Sequence, residues 1–370
     1  MKKYFGIFLM TLLSTAAFSQ KNNYNLIVGT YTAPGKSEGI YTYGFDITNG
    51  TTTLKNVTRG TANPSYLAIS PDRKFAYAVN ETGNTSSVSA FQYDIKTGNL
   101  TFLNKVDSHG ADPCFITVDD QNVIVANYSG GSLAVFSRHT DGSVSEAIQV
   151  IKHTGKSIDP QGRQESAHVH MTKFTPDHKY LVVNDLGEDQ TYLYNYNPVG
   201  KEKTLTQKSV IKATPGTGPR HITFSPNGKF AYLAHEFNGA VSVFAYANGS
   251  LRKVQEINTT TKDFKGKIDG ADIHISPDGK FLYETNRGDA NSISAFAILS
   301  NGKLKFIETV STLGKGPRNF SIDPSGKFLL VGHQYSNNVV IFNRNKTTGK
   351  LTDSGNRIDV GAPVCLVFDK

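Results

Sequence analysis

The 370-residue chain contains no tryptophan, two cysteines and three methionines. With so few cysteines, a disulfide-built scaffold and a zinc site of paired cysteines are both excluded. The chain has no Gly-rich phosphate-binding loop, no Gly-x-Ser-x-Gly nucleophile motif and no block of like charges. Nucleotide hydrolysis and serine-hydrolase chemistry are therefore not indicated, and neither cofactor nor metal is implied by any motif. The two cysteines, Cys114 and Cys365, are expected to be small buried side chains rather than a disulfide.

The only long apolar run is at the N-terminus. Lys2 and Lys3 precede an apolar segment over residues 5–13, and Ala17-Phe18-Ser19 supplies small residues for cleavage. This segment is shorter than the roughly 20 residues that span a membrane. We therefore expect a signal peptide over residues 1–19 and a single mature domain over residues 20–370. This domain would be exported to the periplasm or the medium, with no membrane span.

The net charge of +8 is spread along the chain, often at turns. A nucleic-acid surface would need these charges on one face, so no nucleic-acid partner is expected. Tyrosine, phenylalanine, valine, isoleucine and threonine are frequent between glycine-rich turns, which indicates an all-β fold. Nothing in the sequence indicates more than a monomer.

Internal repetition organises the chain. A phrase of the form Ser-Pro-Asp-Gly-Lys-Phe recurs about every 50 residues, with prolines at 71, 176, 226, 277 and 324 and a degenerate copy at 118–122. Each copy has turn chemistry and is flanked by short apolar strands, so one unit has the size of a four-stranded propeller blade. Seven units are counted, and the first lacks its inner strand. The segment 363–368 supplies it, which predicts an all-β, seven-bladed β-propeller whose C-terminal strand closes the first blade.

The strand order also predicts where a site can lie. The starts of the inner strands and the ends of the second strands should meet around one mouth of the channel. Polar residues that differ from blade to blade cluster at these positions: Glu81, His168, His170, Asp185, Arg220, His221, Glu236, Arg287 and Arg318. A blade scaffold does not require such residues, so we interpret them as a composite site.

Several interpretations of these residues remain open. His168 and His170 could be two metal ligands, although no third ligand follows from spacing, and one functional histidine is the simpler interpretation. Arg220, Arg287 and Arg318 could bind an anion or bridge neighbouring blades. Glu236 could be a general base, an ion-pair partner of Arg220, or both.

These motifs appear in order along the chain: 162–170 (Gly-Arg-Gln-Glu-Ser-Ala-His-Val-His), 184–189, Gly-Pro-Arg-His at 218–221, His-Glu at 235–236, Asn-Arg-Gly at 286–288 and Gly-Pro-Arg at 316–318. In this combination the chain resembles the propeller-type 6-phosphogluconolactonase family, which is similar to fungal muconate lactonising enzymes. The resemblance covers the chain from about Asn25 and departs from the familiar pattern at Ala167, where proline is common.

The resemblance implies a lactonase of carbohydrate metabolism. It implies catalytic roles for His168, Arg220, Glu236 and Arg287, and we expect His170, His221, Glu81, Asp185 and Arg318 to bind the substrate. Glu236 or His168 would activate a water, and the arginines would stabilise the oxyanion. An exported protein fits poorly with cytoplasmic 6-phosphogluconolactone, so the lactone itself stays open. The alternatives are a secreted propeller that binds a glycan or protein, and a lactone cycloisomerase.

Overall fold

A computed structural model describes Met1 and residues 23–370 except Pro34, Pro160 and Lys262. The predicted signal peptide and its cleavage point lie outside the described residues, apart from Met1. No helix in this described part of the chain is long and apolar enough to cross a membrane.

The described chain forms 28 strands in seven four-stranded antiparallel sheets, which confirms the predicted seven-bladed propeller. The strands of the first four blades are, in chain order, β1 (Asn23–Thr30), β2 (Gly39–Asp46), β3 (Thr52–Arg59), β4 (Leu67–Ile69), β5 (Phe75–Asn80), β6 (Ser87–Asp94), β7 (Asn99–Asp107), β8 (Pro113–Val118), β9 (Asn122–Asn127), β10 (Ser132–Arg138), β11 (Val144–Lys152), β12 (Val169–Phe174), β13 (Tyr180–Asp185), β14 (Gln190–Tyr196) and β15 (Leu205–Lys212). The strands of the remaining blades are β16 (Pro219–Phe224), β17 (Phe230–His235), β18 (Ala240–Ala247), β19 (Ser250–Asn258), β20 (Gly270–Ile275), β21 (Phe281–Asn286), β22 (Ser292–Ile298), β23 (Leu304–Ser311), β24 (Pro317–Ile322), β25 (Phe328–His333), β26 (Asn338–Arg344) and β27 (Leu351–Asp359). The last strand of the chain, β28 (Pro363–Phe368), belongs to the first blade. Two short 3₁₀ turns lie at Gly83–Thr85 and Lys201–Lys203.

The first blade is closed as the sequence predicts. Its strand order is β28-β1-β2-β3, and Leu26 pairs with Phe368. The C-terminal strand therefore occupies the inner position of this blade and covers the edge of β1 that would otherwise be open. The side chain of Asn25 also joins the first blade to the second, because it donates to the Tyr93 hydroxyl at 2.6 Å.

The repeated turn phrase has a defined hydrogen-bond pattern. In the sixth blade the Ser276 hydroxyl donates to the Asp278 carboxylate at 2.6 Å and accepts from the Phe281 amide at 3.0 Å. Gly279 has a φ of +70°, a conformation that glycine adopts without strain. The turn thus fixes the register between the inner and second strands of the blades that contain the phrase. This register determines which residues reach the opposite mouth.

Tyrosine hydroxyls connect neighbouring blades at the same depth. Tyr77, Tyr232 and Tyr283 occupy equivalent positions on second strands and are fully buried. Each hydroxyl donates to the carbonyl of a turn glycine one blade further on: Gly142 at 3.0 Å, Gly302 at 2.9 Å and Gly349 at 2.7 Å. The core is accordingly a ring of apolar clusters between adjacent sheets rather than one central core. Both cysteines are buried and free, as expected.

Candidate active site

The predicted rim residues lie at one mouth of the channel, where the inner strands begin and the second strands end. The paired positions there include Val169 with Asp185, Pro219 with His235, and Pro317 with His333. Directly after each of these pairs the register of the inner strand shifts. Such a bulge leaves one residue without a partner on the ladder and re-aims its side chain. The bulged residues are His170, Arg220 and Arg318, so three candidates owe their placement to the same irregularity.

Glu236 is the centre of the site. Its carboxylate is fully buried and accepts from Arg163 at 2.5 Å and from Arg220 at 2.8 Å, and Arg287 lies 3.1 Å away. Burial opposes ionisation of Glu236, but the three guanidinium groups outweigh it and hold the pKa of this carboxyl well below its usual range. A carboxylate paired in this way is a poor proton acceptor near neutral pH. The geometry therefore favours the ion-pair interpretation of Glu236 over the base interpretation.

The cluster carries an excess of positive charge. Arg287 also contacts the Asp269 carboxylate at 2.8 Å, so three guanidinium groups face two carboxylates. Burial, followed by repulsion from Arg287, lowers the pKa of Arg220 to about 10, which leaves it protonated at neutral pH. A buried group of this composition favours an added anion, because the anion would neutralise the excess charge.

Arg220 offers donors to such an anion. Its Nε is bonded to Glu236, and its Nη1 donates to the Ala271 carbonyl at 2.6 Å and to Nε2 of His221 at 3.2 Å. Among the described residues, no partner occupies Nη2 of Arg220 or Nη1 of Arg287. These groups are the natural contacts of a negatively charged oxygen.

A hydrogen bond to His221 holds Arg220 in position. Because arginine only donates, Nε2 of His221 must accept, and its Nδ1–H then donates to Asp272 at 2.8 Å. Burial and the Arg220 charge lower the pKa of His221 to about 4, so the ring is neutral. Asp272 is held in turn by His274 at 2.8 Å and by the Asn319 amide at 2.5 Å. His221 thus serves as an acceptor for Arg220 in this structure.

His168 lies beside the arginine cluster. Its ring stacks on Tyr128 with centroids 4.4 Å apart, and the Tyr128 hydroxyl accepts from Nη2 of Arg163 at 2.7 Å. Nδ1 of His168 lies 3.0 Å from the Tyr128 carbonyl, which can only accept. Nδ1 therefore carries a proton. In the neutral ring the lone pair is then on Nε2, which lies 3.4 Å from a carboxylate oxygen of Glu165. This tautomer is the one a general base needs.

The other predicted binding residues separate into three places. His170 is buried next to His221, with ring centroids 5.2 Å apart, and desolvation holds its pKa well below the usual value. Glu81 accepts from the Tyr31 hydroxyl at 2.8 Å, and Arg318 lies over the Tyr31 ring at 5.6 Å. These two form a second group of rim residues around Tyr31.

Asp185 has a different position from the one expected of a binding residue. It is fully buried, and its carboxylate accepts from the His168 amide at 2.8 Å and pairs with Nδ1 of His153 at 2.7 Å. Since both oxygens are occupied by the protein, Asp185 supports the backbone of His168. With His153 and Glu188 it also makes the one group of potential metal ligands found among the described residues. His153 is already bonded to Asp185 and Tyr194, so this group is a satisfied hydrogen-bond network.

Sequence reasoning missed four contributors: Tyr128, Arg163, Asp269 and Asp272. Arg163 lies in a loop before its blade and reaches the centre by packing on the rings of Tyr128 and Phe237. No strand-position rule predicts such a loop residue. Asp269 and Asp272 do flank the start of β20 in the sequence, so their position at the rim was the available signal.

The fold and the site together define a seven-bladed propeller with a buried, arginine-rich cluster at one channel mouth. A family model described as "Lactonase, 7-bladed beta-propeller" matches residues 25–368. The 6-phosphogluconolactonase of Bacillus subtilis (strain 168) is 38% identical over 346 residues, which cover 92% of this chain and 97% of the relative. The 6-phosphogluconolactonase of Formosa agariphila is 39% identical over 333 residues, which cover 88% and 94%. The solved periplasmic gluconolactonase PpgL of Pseudomonas aeruginosa superposes with a TM-score of 0.89 at 36% identity, and the match covers 94% of this chain and 99% of that one.

The chain therefore belongs to the lactonase family of seven-bladed β-propellers. It is a lactonase enzyme.

Proposed function

We propose that this lactonase hydrolyses the lactone of a sugar acid, phosphorylated or not, at the mouth formed by Arg220, Arg287 and His168. The observation that carries the proposal is the pair of open guanidinium N–H groups on buried arginines. Donors already fixed by the protein stabilise developing negative charge without reorganisation, and they are the typical means of stabilising an acyl-transfer oxyanion. The names of the relatives agree with a sugar-acid lactone as the substrate class.

In the proposed reaction, Nε2 of His168 takes a proton from a water as the water oxygen attacks the lactone carbonyl. The carbonyl oxygen becomes an oxyanion and is stabilised by Arg220 and Arg287. The tetrahedral intermediate then collapses, the ring C–O bond breaks, and His168 returns its proton to the departing alkoxide. The product is the open hydroxy acid, and no atom or electron is needed beyond the water.

Glu236 has a positioning role in this scheme. It holds Arg163, Arg220 and Arg287 in one arrangement and keeps their net charge small enough to be buried. The Tyr31 group, with Glu81 and Arg318, borders the same mouth and would contact the remainder of the sugar acid. Such contacts orient the carbonyl for attack.

A pH-stat assay of the purified mature chain tests the proposal, with phosphorylated and unphosphorylated gluconolactones as substrates. Arg220→Ala should lower kcat/KM by about 100-fold or more, the scale for loss of one oxyanion donor. Arg252→Ala, which changes an exposed arginine on β19, should leave it unchanged. NMR of the product in H₂¹⁸O would show one labelled carboxylate oxygen. Full activity of Arg220→Ala, or a product without label, would refute hydrolysis at this site.

We also propose that the enzyme acts outside the cytoplasm as a monomer. The support is the leader-like sequence of residues 1–19 and the similarity to a gluconolactonase described as periplasmic. N-terminal sequencing of the protein recovered from the exported fraction should begin at Gln20. Retention of residues 1–19 on a cytoplasmic protein would contradict export, and gel filtration would report the oligomeric state.

A further inference from the structure

A second surface feature lies between the outermost strands of two neighbouring blades. Adjacent blades are fastened there by side chains on their outermost strands. Gln149 of β11 donates to the Leu205 carbonyl and accepts from the Leu205 amide, both at 2.8 Å. Gln255 of β19 makes the same pair of bonds with Leu304, at 2.9 and 2.7 Å. Each such pair of hydrogen bonds, called a clamp below, joins the outermost strands of two neighbouring blades.

Two further junctions follow the same pattern. Asn104 of β7 donates to the Val144 carbonyl at 2.7 Å and accepts from its amide at 3.0 Å. Glu308 of β23 accepts from the Leu351 amide at 2.8 Å. Bonds of this kind are therefore found at four of the seven blade junctions.

At the junction of the first and second blades the clamp is replaced. Asn56 of β3 is the corresponding residue, but its amide donates to the Asn99 side chain at 3.0 Å. Beside this contact a cleft of about 810 Å³ opens between β3 and β7. Its volume is within the range of small-molecule sites in proteins.

The lining of this cleft has a distinct chemistry. Hydroxyl and amide side chains dominate, among them Asn56, Thr58, Thr82, Ser87 and Asn99. No carboxylate occurs among the described residues that line it, and the two cations are at positions 59 and 105. Neutral groups that both donate and accept are suited to a ligand with many hydroxyls.

An aromatic side chain completes the cleft. Phe102 is 57% exposed and packs edge-on against the buried Phe91, with centroids 6.0 Å apart. Its outer face is available to an apolar surface. The ring carbons of a sugar present such a surface, with hydroxyls around it, so one ligand can use both parts of the lining. Phe306, in the equivalent position of the sixth blade, is 47% exposed and packs on Phe296 at 5.8 Å, but it does not line the cleft.

We propose that the cleft between the first and second blades is a carbohydrate-binding site that takes a neutral oligosaccharide, independently of the lactonase mouth. Phe102 stacks on one sugar ring, and the hydroxyl and amide groups bond its neighbours. The site would hold the enzyme on a glycan while the mouth stays free.

Isothermal titration calorimetry of the full chain tests the site, with cellohexaose, laminarihexaose, maltohexaose and xylohexaose as probes. At least one should bind, and Phe102→Ala should raise its Kd about tenfold or more. The matched variant Phe306→Ala should leave the Kd within about twofold. Asn56→Gln, which lengthens the amide toward the clamp seen at Gln149 and Gln255, should also weaken binding by closing the cleft.

Activity separates this site from the mouth. Phe102→Ala should keep full lactonase activity, and Arg220→Ala should keep full oligosaccharide binding. The proposal is refuted if none of the four probes binds at about 10 mM, which is about ten times a weak Kd of 1 mM. It is also refuted if binding is insensitive to Phe102→Ala, or if Arg220→Ala abolishes it.

Discussion

Asp272 should affect catalysis through the position of Arg220, although the two side chains are not bonded to each other. It holds His221 by the Nδ1–H bond of 2.8 Å, and His221 in turn accepts from Arg220. In Asp272→Asn one oxygen becomes an NH₂ group, which loses the charge and places a donor against the Asn319 donor now 2.5 Å away. A hydrogen bond to a charged group contributes about 1.5–3 kcal/mol. If the loss appears in transition-state binding, kcat/KM falls by about 10- to 150-fold.

The measurement is kcat and KM for lactone hydrolysis over a pH series, with circular dichroism to establish that the variant is folded. A positioning defect should lower kcat more than it raises KM, because the oxyanion contact exists mainly in the transition state. His274→Asn is the matched control, since it removes a bond of the same length to Asp272 on the side away from Arg220. It should change kcat/KM less than about threefold, well below the factor for a bond to a charged group. Unchanged kinetics in Asp272→Asn, or an equal loss in His274→Asn, would refute the reasoning.

Three further predictions follow from the site and the fold. His168→Gln should lower kcat by about 100-fold or more with little change in melting temperature, because proton transfer by a positioned side chain contributes on this scale; a rate within threefold of the parent would argue for another base. Tyr283→Phe should reduce the free energy of unfolding in urea by about 1 kcal/mol, since one buried bond to the Gly349 carbonyl is lost, and no change would mean that this bond is not stabilising. Burial lowers the folded-state pKa of His235 and His333, like that of His221, to about 4, so the unfolded chain binds more protons between pH 6.5 and 4. The contribution of these histidines to stability should therefore be constant above pH 6.5 and should fall by roughly 3 kcal/mol for each histidine between pH 6.5 and pH 4. His333→Leu should reduce the difference between the unfolding free energies measured in urea at pH 7 and pH 5.

The fold could be predicted in detail because the same turn phrase and flanking strands repeat along the chain. A Ser-Pro-Asp-Gly turn specifies its own hydrogen bonds. Six copies of the phrase, one of them degenerate, define seven units with an incomplete first blade, and a closed ring completes that blade. The segment 363–368 was assigned to the first blade for this reason, and the structure pairs it with β1. The same strand order placed Arg220, Glu236 and Arg287 together at one mouth, where the structure brings them into contact.

Tertiary structure alone decided what those residues do to one another. The three arginines around Glu236 come from a loop and from two different blades, so the depression of its pKa depends on distances that no repeat encodes. The bulges that re-aim His170, Arg220 and Arg318 are likewise seen only in the pairing of the inner strands with their neighbours. Beside the cleft, the Asn56 amide bonds a side chain, whereas the equivalent Gln149 bonds backbone of the next blade. Local sequence determines strands and turns through short-range bonds, whereas charge balance and open donors arise only where distant segments meet.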